Sequence, residues 1–154
     1  MSKISEIFDD VNAEIQALLG ATQFQIPDVL ALDVQSPMLL ASGFGVVIGP
    51  AVNTNRQLDC QLSIERNFGV ILTERVAAHN TDTTGFSNAQ KAILEKQFIL
   101  IKNWEREVSL ANRKAKILFV ADGGIEVLTT ETQAGRFLVL TSEFSVEYFE
   151  DITT

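Results

Sequence analysis

Histidine and cysteine, the residue types that most often do chemistry, each occur once in this chain of 154 residues, as His79 and Cys60. Cys60 shares its parity with the apolar residues of an alternating segment, which favours a small buried hydrophobic side chain over a nucleophile. His79 lies in a polar loop and could act as a surface base, but no serine or cysteine motif accompanies it. A single cysteine also excludes an internal disulfide, and a single histidine excludes the usual zinc ligand sets.

Three further patterns resemble binding or catalytic motifs without completing them. Residues 43–49, Gly-Phe-Gly-Val-Val-Ile-Gly, miss the dinucleotide-binding spacing by one residue, and no helix follows to hold a pyrophosphate. Residues 122–124, Asp-Gly-Gly, lack the remaining oxygens of a calcium loop. Glu143 and Glu147 point the same way on a strand but lie two pleats apart, so a paired-carboxylate site is unsupported. We therefore expect no catalytic, cofactor or metal site, and a protein that is not an enzyme.

Length and composition indicate a single domain spanning residues 1–154. The chain has 46% hydrophobic residues and only three prolines, which is enough apolar material to close one core. Its apolar runs are too short to cross a bilayer, and the acids near its amino terminus are unlike a secretory signal. We expect a soluble, unprocessed domain that is made in the cytoplasm and contacts no membrane.

The formal net charge of −8 is unevenly distributed. Residues 1–33 sum to −5, residues 34–121 to +3 and residues 122–154 to −6. Two acidic ends around a mildly basic middle are unlike the basic surface of a nucleic-acid-binding domain. One interpretation is a solvated acidic surface that keeps the protein soluble. The alternative is self-association, in which the acidic edges of one copy meet the basic middle of the next.

Hydrophobic periodicity predicts two helices. Apolar residues recur every three or four positions from Ile4 to Leu19, with Ser2 as the N-cap and Gly20 as the C-terminal stop. The second helix is expected to open at a capping box in which Ser87 is followed by glutamine three residues later. Its predicted buried face comprises Ile93, Leu94, Phe98, Ile101, Trp104 and Val108.

Alternation of apolar and polar residues predicts the strands. The clearest alternation covers residues 58–72, either as one strand or as two strands joined by a bend near residues 65–67. A second alternation covers residues 138–148. Polar or glycine-rich segments at 53–55 and 122–124 are expected to be a loop and a turn. Shorter strands are expected at 43–49, 117–120 and 125–128.

The predicted order is helix, strands, helix, strands, with residues 21–42 as an extended, partly turned connection packed on the core. This order indicates an α+β domain in which two helices pack on one face of a largely antiparallel β-sheet. The other face carries polar residues, among them Glu65, Asn67, Glu143 and Glu147, and would meet water or a partner.

Arg66 interrupts the apolar parity of the first long alternation. It either leaves the sheet at a bend and enters solvent, or pairs across a subunit interface with an acid of a second copy. Arg75 lies just beyond it in the same segment. Both arginines are therefore candidates for contacts between copies.

Several segments, taken in order, resemble the tail terminator (tail completion) proteins of long-tailed bacteriophages. The resemblance covers most of the chain, including the helix from Ser87, and its motifs are structural rather than catalytic. It is carried by residues 24–27 (Phe-Gln-Ile-Pro), 43–49, 51–56 (Ala-Val-Asn-Thr-Asn-Arg), 66–73 (Arg-Asn-Phe-Gly-Val-Ile-Leu-Thr), 136–138 (Arg-Phe-Leu) and 143–148 (Glu-Phe-Ser-Val-Glu-Tyr).

This resemblance implies a structural virion protein that forms a homohexameric ring at the head-proximal end of the tail. Such a ring caps the tail tube protein, stops its polymerisation and docks to the head-tail connector or stopper protein. DNA passes through its lumen without specific binding, and an acidic lumen would let DNA slide. No cofactor is needed. The residues expected at the contact between copies are Arg66, Phe68, Arg75, Glu143 and Glu147.

Two other functions remain open from the sequence. One is a head-tail adaptor or stopper in the neck of the virion, which is also a structural role. The other is a small ligand-binding or hydrolytic module that uses His79 and the polar residues near it.

Overall fold

The computed structural model describes residues 2–20, 24–25, 42–57, 60–76, 83–106, 115–130 and 135–152. It contains two helices and five strands, and has the predicted α+β architecture. In chain order the elements are α1 (Lys3–Leu19), β1 (Phe24–Gln25), β2 (Gly43–Gln57), β3 (Gln61–Arg75), α2 (Thr83–Arg106), β4 (Lys116–Thr130) and β5 (Gly135–Asp151). Apart from β1 and Ser42, the expected connection over residues 21–42 lies outside the described residues.

Helix α1 has the predicted ends. The Ser2 hydroxyl accepts a hydrogen bond from the backbone N–H of Ser5, which satisfies one free donor of the first turn. Gly20 ends the helix at a φ of 93°, a conformation that favours glycine. One stripe of the helix, including Ile7, is buried in the core, as its periodicity predicts.

The strands form one sheet in the order β1-β2-β3-β5-β4. Its four long strands are antiparallel to one another, and the short β1 pairs in parallel with β2 at one edge. The central pair is β3 and β5, whose register runs without a shift from Gln61 opposite Asp151 to Arg75 opposite Phe137. The long alternation is therefore one strand, which confirms the first alternative, and the bend expected near residues 65–67 does not form.

The two flanking strands carry β-bulges where the sequence predicts breaks. Strand β2 passes through Gly49-Pro50 and through residues 53–55, with register shifts on either side of Ala51. Strand β4 passes through residues 122–124, with Gly124 at a φ of 79°. The expected loop at 53–55 and turn at 122–124 are therefore wrong, because a bulge absorbs one extra residue and the strand continues.

The two faces of the sheet differ as the alternation predicts. In β3 and β5 the even-numbered residues face the helices, and the odd-numbered residues form the other face, which we call the open face. Near the end of β3 this face is covered, since Thr73, Phe137 and Val139 are buried. Both helices contribute to the core on the even side. The buried residues of that core include Ile7, Val11 and Ile15 of α1, Ile93, Leu100 and Trp104 of α2, and Phe44, Phe68, Val70, Leu72, Leu140, Phe144 and Val146 of the sheet.

Helix α2 departs from its prediction at its start and on its buried face. It begins at Thr83 rather than at Ser87, so the capping box is not its first turn. Leu94 and Phe98, expected in the core, are 45% and 54% exposed. The buried stripe instead comprises Ala89, Ile93, Gln97, Leu100 and Trp104, which keep helical spacing, and the expected Val108 lies outside the described residues.

Aromatic rings join α2 to the central strand pair. Phe68 of β3 stacks on Phe144 of β5, with ring centroids 5.6 Å apart. Trp104 packs its edge against both rings, at centroid distances of 5.9 Å from Phe68 and 4.8 Å from Phe144. These geometries are favourable for aromatic pairs, and burial of three rings anchors the helix on the sheet. Among the described residues, the indole Nε1 of Trp104 has no hydrogen-bond partner.

This cluster predicts different losses for two substitutions of Trp104. Trp104→Ala removes most of the ring contact and should lower the free energy of unfolding by about 3–5 kcal/mol. Trp104→Phe keeps a ring and removes the unpaired N–H, so its loss should be clearly smaller. Urea denaturation followed by far-ultraviolet circular dichroism measures both. Equal losses would contradict a packing role for the ring.

Candidate functional site

The five residues expected at a contact between copies do not form one surface. Arg66 and Phe68 are even-numbered positions of β3 and lie on the helix side of the sheet. Arg75, Glu143 and Glu147 are odd-numbered and lie on the open face. A single patch containing all five residues is therefore ruled out, because the sheet separates the two groups.

Phe68 is not available to a partner. Its side chain is 2% exposed and lies between Trp104 and Phe144 in the core. The expectation that Phe68 contacts another copy is wrong for this reason. Its parity with Val70 and Leu72 already placed it among core residues.

Arg66 is bound within its own chain. Its Nη1 donates to the backbone carbonyl of Gly49 at 3.0 Å, and its Nε donates to the hydroxyl of Tyr148 at 3.3 Å. Gly49 belongs to the first bulge of β2, directly across from Arg66 and Asn67. The bulge has no space for a side chain at this point, since a Cβ on Gly49 would lie 2.8 Å from the Asn67 carbonyl oxygen. Arg66 therefore supports the bulge, a role that neither expectation for it included.

The open face carries a row of carboxylates. Glu65 of β3 stands directly opposite Glu147 of β5, an unfavourable pairing of like charges. On its other side Glu147 faces Lys116 of β4, which offsets part of that repulsion. Glu143 accepts a hydrogen bond of 2.8 Å from the Asn67 side chain. The acids Glu65, Glu143 and Glu147 are exposed or half-buried, as predicted for a polar face. The same face carries the buried Phe137 and Val139 towards the end of β3, so it is polar over only part of the sheet.

Arg75 lies at the end of β3 on the same face and is exposed. Its backbone N–H donates to the hydroxyl of Ser42 at 3.5 Å. Of the five expected contact residues, Arg75, Glu143 and Glu147 thus remain accessible in the single chain. The contribution of these three residues to an interface stays a prediction.

A polar cluster that the sequence reasoning missed joins α2 to the second bulge of β4. The buried Gln97 amide donates to Asp122 Oδ2 and to Ser142 Oγ, both at 2.9 Å. The backbone N–H of Gly124 donates to the other Asp122 oxygen at 2.9 Å. These two hydrogen bonds, the Gln97 bond first, lower the pKa of Asp122 below its ordinary 3.8, against a small opposing effect of burial. The signal in the sequence was a glutamine in the apolar stripe of α2.

Helix α2 also forms an ion pair with the sheet. Lys96 forms an ion pair with Glu74 of β3, and both side chains are more than four-fifths buried. Together with Gln97 and Trp104, this pair sets the rotation of α2 about its axis. Each of these groups is bound to another group of the fold.

The residues that most often do chemistry are not assembled into a site in the described part of the chain. Cys60 is half-buried in the turn before β3, not in the middle of a strand as expected, and its carbonyl accepts from the Ile152 N–H at 2.8 Å. His79 lies outside the described residues. Within the described ranges, no group of three or more histidine, cysteine or acidic residues could hold a metal ion, and no helix could span a membrane.

The most prominent feature of the described surface is exposed apolar side chains. Eight large hydrophobic residues are between 37% and 54% exposed. Single exposed residues are common in soluble proteins, but groups of them mark interaction surfaces. The eight residues are Val52, Leu94, Phe98, Leu118, Val120, Val127, Phe149 and Ile152.

The two arginines of β3 predict contrasting effects on stability. Arg66→Met keeps much of the side-chain length but removes the donors to Gly49 and Tyr148, and should lower the free energy of unfolding by about 1–3 kcal/mol. Arg75→Met, at an exposed position, should change it by less than about 0.5 kcal/mol. Chemical denaturation of both variants measures the difference. A neutral Arg66→Met would show that the bulge does not need the guanidinium.

The lowered pKa of Asp122 predicts a dependence of stability on pH. The folded state favours the ionised carboxylate of Asp122 more than the unfolded chain does. The resulting contribution to folding stability is therefore present above pH 3.8 and disappears as the pH falls through the lower, folded-state pKa. Asp122→Asn should therefore be less stable than the unmodified chain near neutrality, and the gap should narrow below pH 3.8. Denaturant unfolding from about pH 6 to about pH 2 measures this gap. Glu126→Gln, on the other face of β4, is the control. A difference in stability between Asp122→Asn and the unmodified chain that does not change with pH would contradict the role of the charge.

Comparisons with known proteins leave the function to be argued from these surfaces. No protein-family model matches the chain, and no curated protein shows significant sequence similarity to it.

Proposed function

We propose that this protein is a structural assembly protein, the terminator of a long bacteriophage tail. It forms a homohexameric ring that caps the tail tube at its head-proximal end, stops polymerisation of the tube protein and provides the docking face for the head connector. Its site of action is the virion. Several segments of the sequence, taken in order along the chain, resemble tail terminators, and this resemblance is the reason for naming this particular assembly.

One structural observation supports an assembly role over a chemical one. Polar side chains at the bulges and beneath α2 are bound to other groups of the fold: Arg66 at the bulge of β2, Asp122 and Gln97 at the bulge of β4, and Lys96 with Glu74. The surface of the described residues, in contrast, exposes eight large apolar side chains. Apolar surface is the material from which protein–protein contacts are made.

The acidic open face is consistent with a channel for DNA. Its described acids include Glu65, Glu143 and Glu147, while Lys116 and Arg75 are the described bases of that face. A surface with excess negative charge repels a phosphate backbone and would let DNA pass without binding.

The test is a tail-tube assembly experiment that uses the tube protein encoded in the same genome. Adding this protein to growing tubes should shorten the mean tube length in proportion to the amount added, because each capped end stops growing. Negative-stain electron microscopy measures the lengths, and the same chain after thermal unfolding is the control. Unchanged lengths would contradict the terminator role and leave a head-tail adaptor or stopper as the structural alternative. Normal capping by a folded His79→Ala variant would show that the assembly role does not depend on that histidine.

A further inference from the structure

Two of the exposed apolar side chains belong to helix α2, and the contacts of their neighbours show which way they point. The Gln97 amide donates to Ser142 Oγ on the helix side of the sheet, so this position of α2 faces β5. Successive residues of an α-helix are turned by about 100°. Lys96 and Phe98, one before and one after Gln97, therefore lie on opposite sides of the helix, and Leu94 lies on the side of Phe98.

The side of α2 that carries Lys96 is covered by other parts of the fold. Lys96 itself pairs with Glu74 of β3. Asn103, seven residues later and so on the same side, donates through its side-chain amide to Glu14 of α1 at 2.6 Å. Helix α1 and strand β3 therefore lie on this side of α2.

The opposite side of α2 lies over β4, at the edge of the sheet. Glu105, seven residues after Phe98, accepts a hydrogen bond of 3.0 Å through Oε1 from the backbone N–H of Phe119 in β4, the outermost described strand at that edge. Val127 of β4 faces the same side of the sheet as α2, since it pairs with the buried Leu138, yet it is 47% exposed. Because more than half of the Phe98 side chain is exposed as well, the described elements leave this side of α2 uncovered.

The uncovered side of α2 has the residue spacing of a paired helix. Positions 91, 94, 98, 101 and 105 follow one another at alternating intervals of three and four residues. This alternation repeats every seven residues, and it is the spacing by which two helices pack along a shared seam. We call these five residues the α2 seam; the fourth is half-buried and the others are exposed. They are Lys91, Leu94, Phe98, Ile101 and Glu105, so the seam is apolar in the middle and charged at its ends.

The charges at the two ends of the seam are of opposite sign and equally far from its centre. Lys91 lies seven residues before Phe98, and Glu105 lies seven residues after it. An antiparallel pair of seams centred on Phe98 therefore places Lys91 of each copy against Glu105 of the other, whereas a parallel pair in register places like charges together. The Glu105 carboxylate has a second oxygen for this contact, besides the Oε1 that accepts from the Phe119 N–H.

Two residues beside the seam repeat this complementarity. Glu95 and Lys102 are both exposed and lie seven residues apart, on the edge of the seam that is turned away from the sheet. A two-fold axis at right angles to the helices brings equal edges of the two seams together, so Glu95 of one copy lies close to Lys102 of the other. Leu94 and Ile101, on the edge towards the sheet, meet in the same way. The contacts across the pair thus join apolar to apolar and acid to base.

We propose that two copies of this chain pair through the α2 seam, antiparallel and about a two-fold axis. The seam is complementary to itself, which is what a two-fold contact requires. Its apolar centre, bordered by charged residues, is a common arrangement in protein–protein interfaces. A two-fold contact joins copies in pairs and does not close a ring of six, so this pairing is additional to the ring contacts of the proposed function.

The first test disables the centre of the seam in the whole chain. Phe98→Glu brings two acids together at the two-fold axis and removes the central apolar contact. Leu118→Glu is the matched control, because Leu118 is also exposed but lies on the open face of the sheet, away from α2. Circular dichroism verifies the fold, and size-exclusion chromatography with light scattering measures the mass. The mass of Phe98→Glu should be half that of the unmodified chain and of Leu118→Glu, or 17.0 kDa against about 34 kDa when no ring has formed.

The second test reverses the exposed charges beside the seam, where substitutions put the fold at less risk. Glu95→Lys and Lys102→Glu each place like charges across the pair. Each alone should raise the dissociation constant of the dimer about tenfold in analytical ultracentrifugation at low salt. An equimolar mixture of the two variants should dimerise at least as tightly as the unmodified chain. In the mixed pair the two introduced residues face each other, and Lys102 of one copy faces Glu95 of the other.

Three outcomes would overturn the pairing: a monomeric unmodified chain, a mass that Phe98→Glu does not lower, or a mixture of the charge variants that dimerises no better than each variant alone. Loss of the dimer in Leu118→Glu would also overturn it, by placing the contact on the open face. Since these measurements use no tail tubes, they separate the pairing from the proposed function. Dimerisation without tube capping would reject the tail role alone, and capping by an unmodified chain that never dimerises would reject the pairing alone.

Discussion

The unbroken pairing of β3 with β5 is the constraint on which the rest of the structure depends. Each residue of β3 has a partner on β5, and a slip of one residue would move Phe68, Val70 and Leu72 from the core to the open face. Burial of these apolar side chains, about 1.5–3 kcal/mol for each large one, makes such a slip costly. The central pair therefore has one register, and the neighbouring strands must accommodate it.

The bulges and their polar supports follow from this accommodation. Strands β2 and β4 each carry two register shifts, while the β3–β5 pair carries none. A bulge leaves backbone groups outside the regular ladder, and these groups need other partners. Arg66 supplies a donor to the Gly49 carbonyl, and Asp122 supplies an acceptor to the Gly124 N–H. Asp122, part of an incomplete calcium loop in the sequence, and Arg66, a candidate for contacts between copies, are thus used to complete the sheet.

The sequence predicts features that repeat over many residues and misses those that depend on a distant strand. Helix α1 and the alternation of β3 and β5 follow from periodicity alone, and so does the α+β class. The bulges could not be predicted because Gly49-Pro50 and Asp122-Gly123-Gly124 have the local composition of turns, and only the partner strands keep them extended. The prediction of the buried face of α2 was partly wrong because two apolar stripes overlap on this helix. Gln97 belongs to the buried stripe, but this is evident only when Ser142 is known to lie beneath it. The burial of Phe68, in contrast, could have been predicted from the sequence, because Phe68 has the same parity as Val70 and Leu72.

The same bulges bear on how copies of the chain can associate. An edge strand with regular spacing invites a second strand to pair with it, and bulges, proline and charge prevent this. Beyond Phe44, the described outer edge of β2 carries Pro50 and two register shifts, and β4 carries two shifts together with Lys116 and Glu126. Extension of the sheet from one copy to the next would therefore meet an irregular row of donors and acceptors on both sides. Contacts made by side chains do not need that row of donors and acceptors.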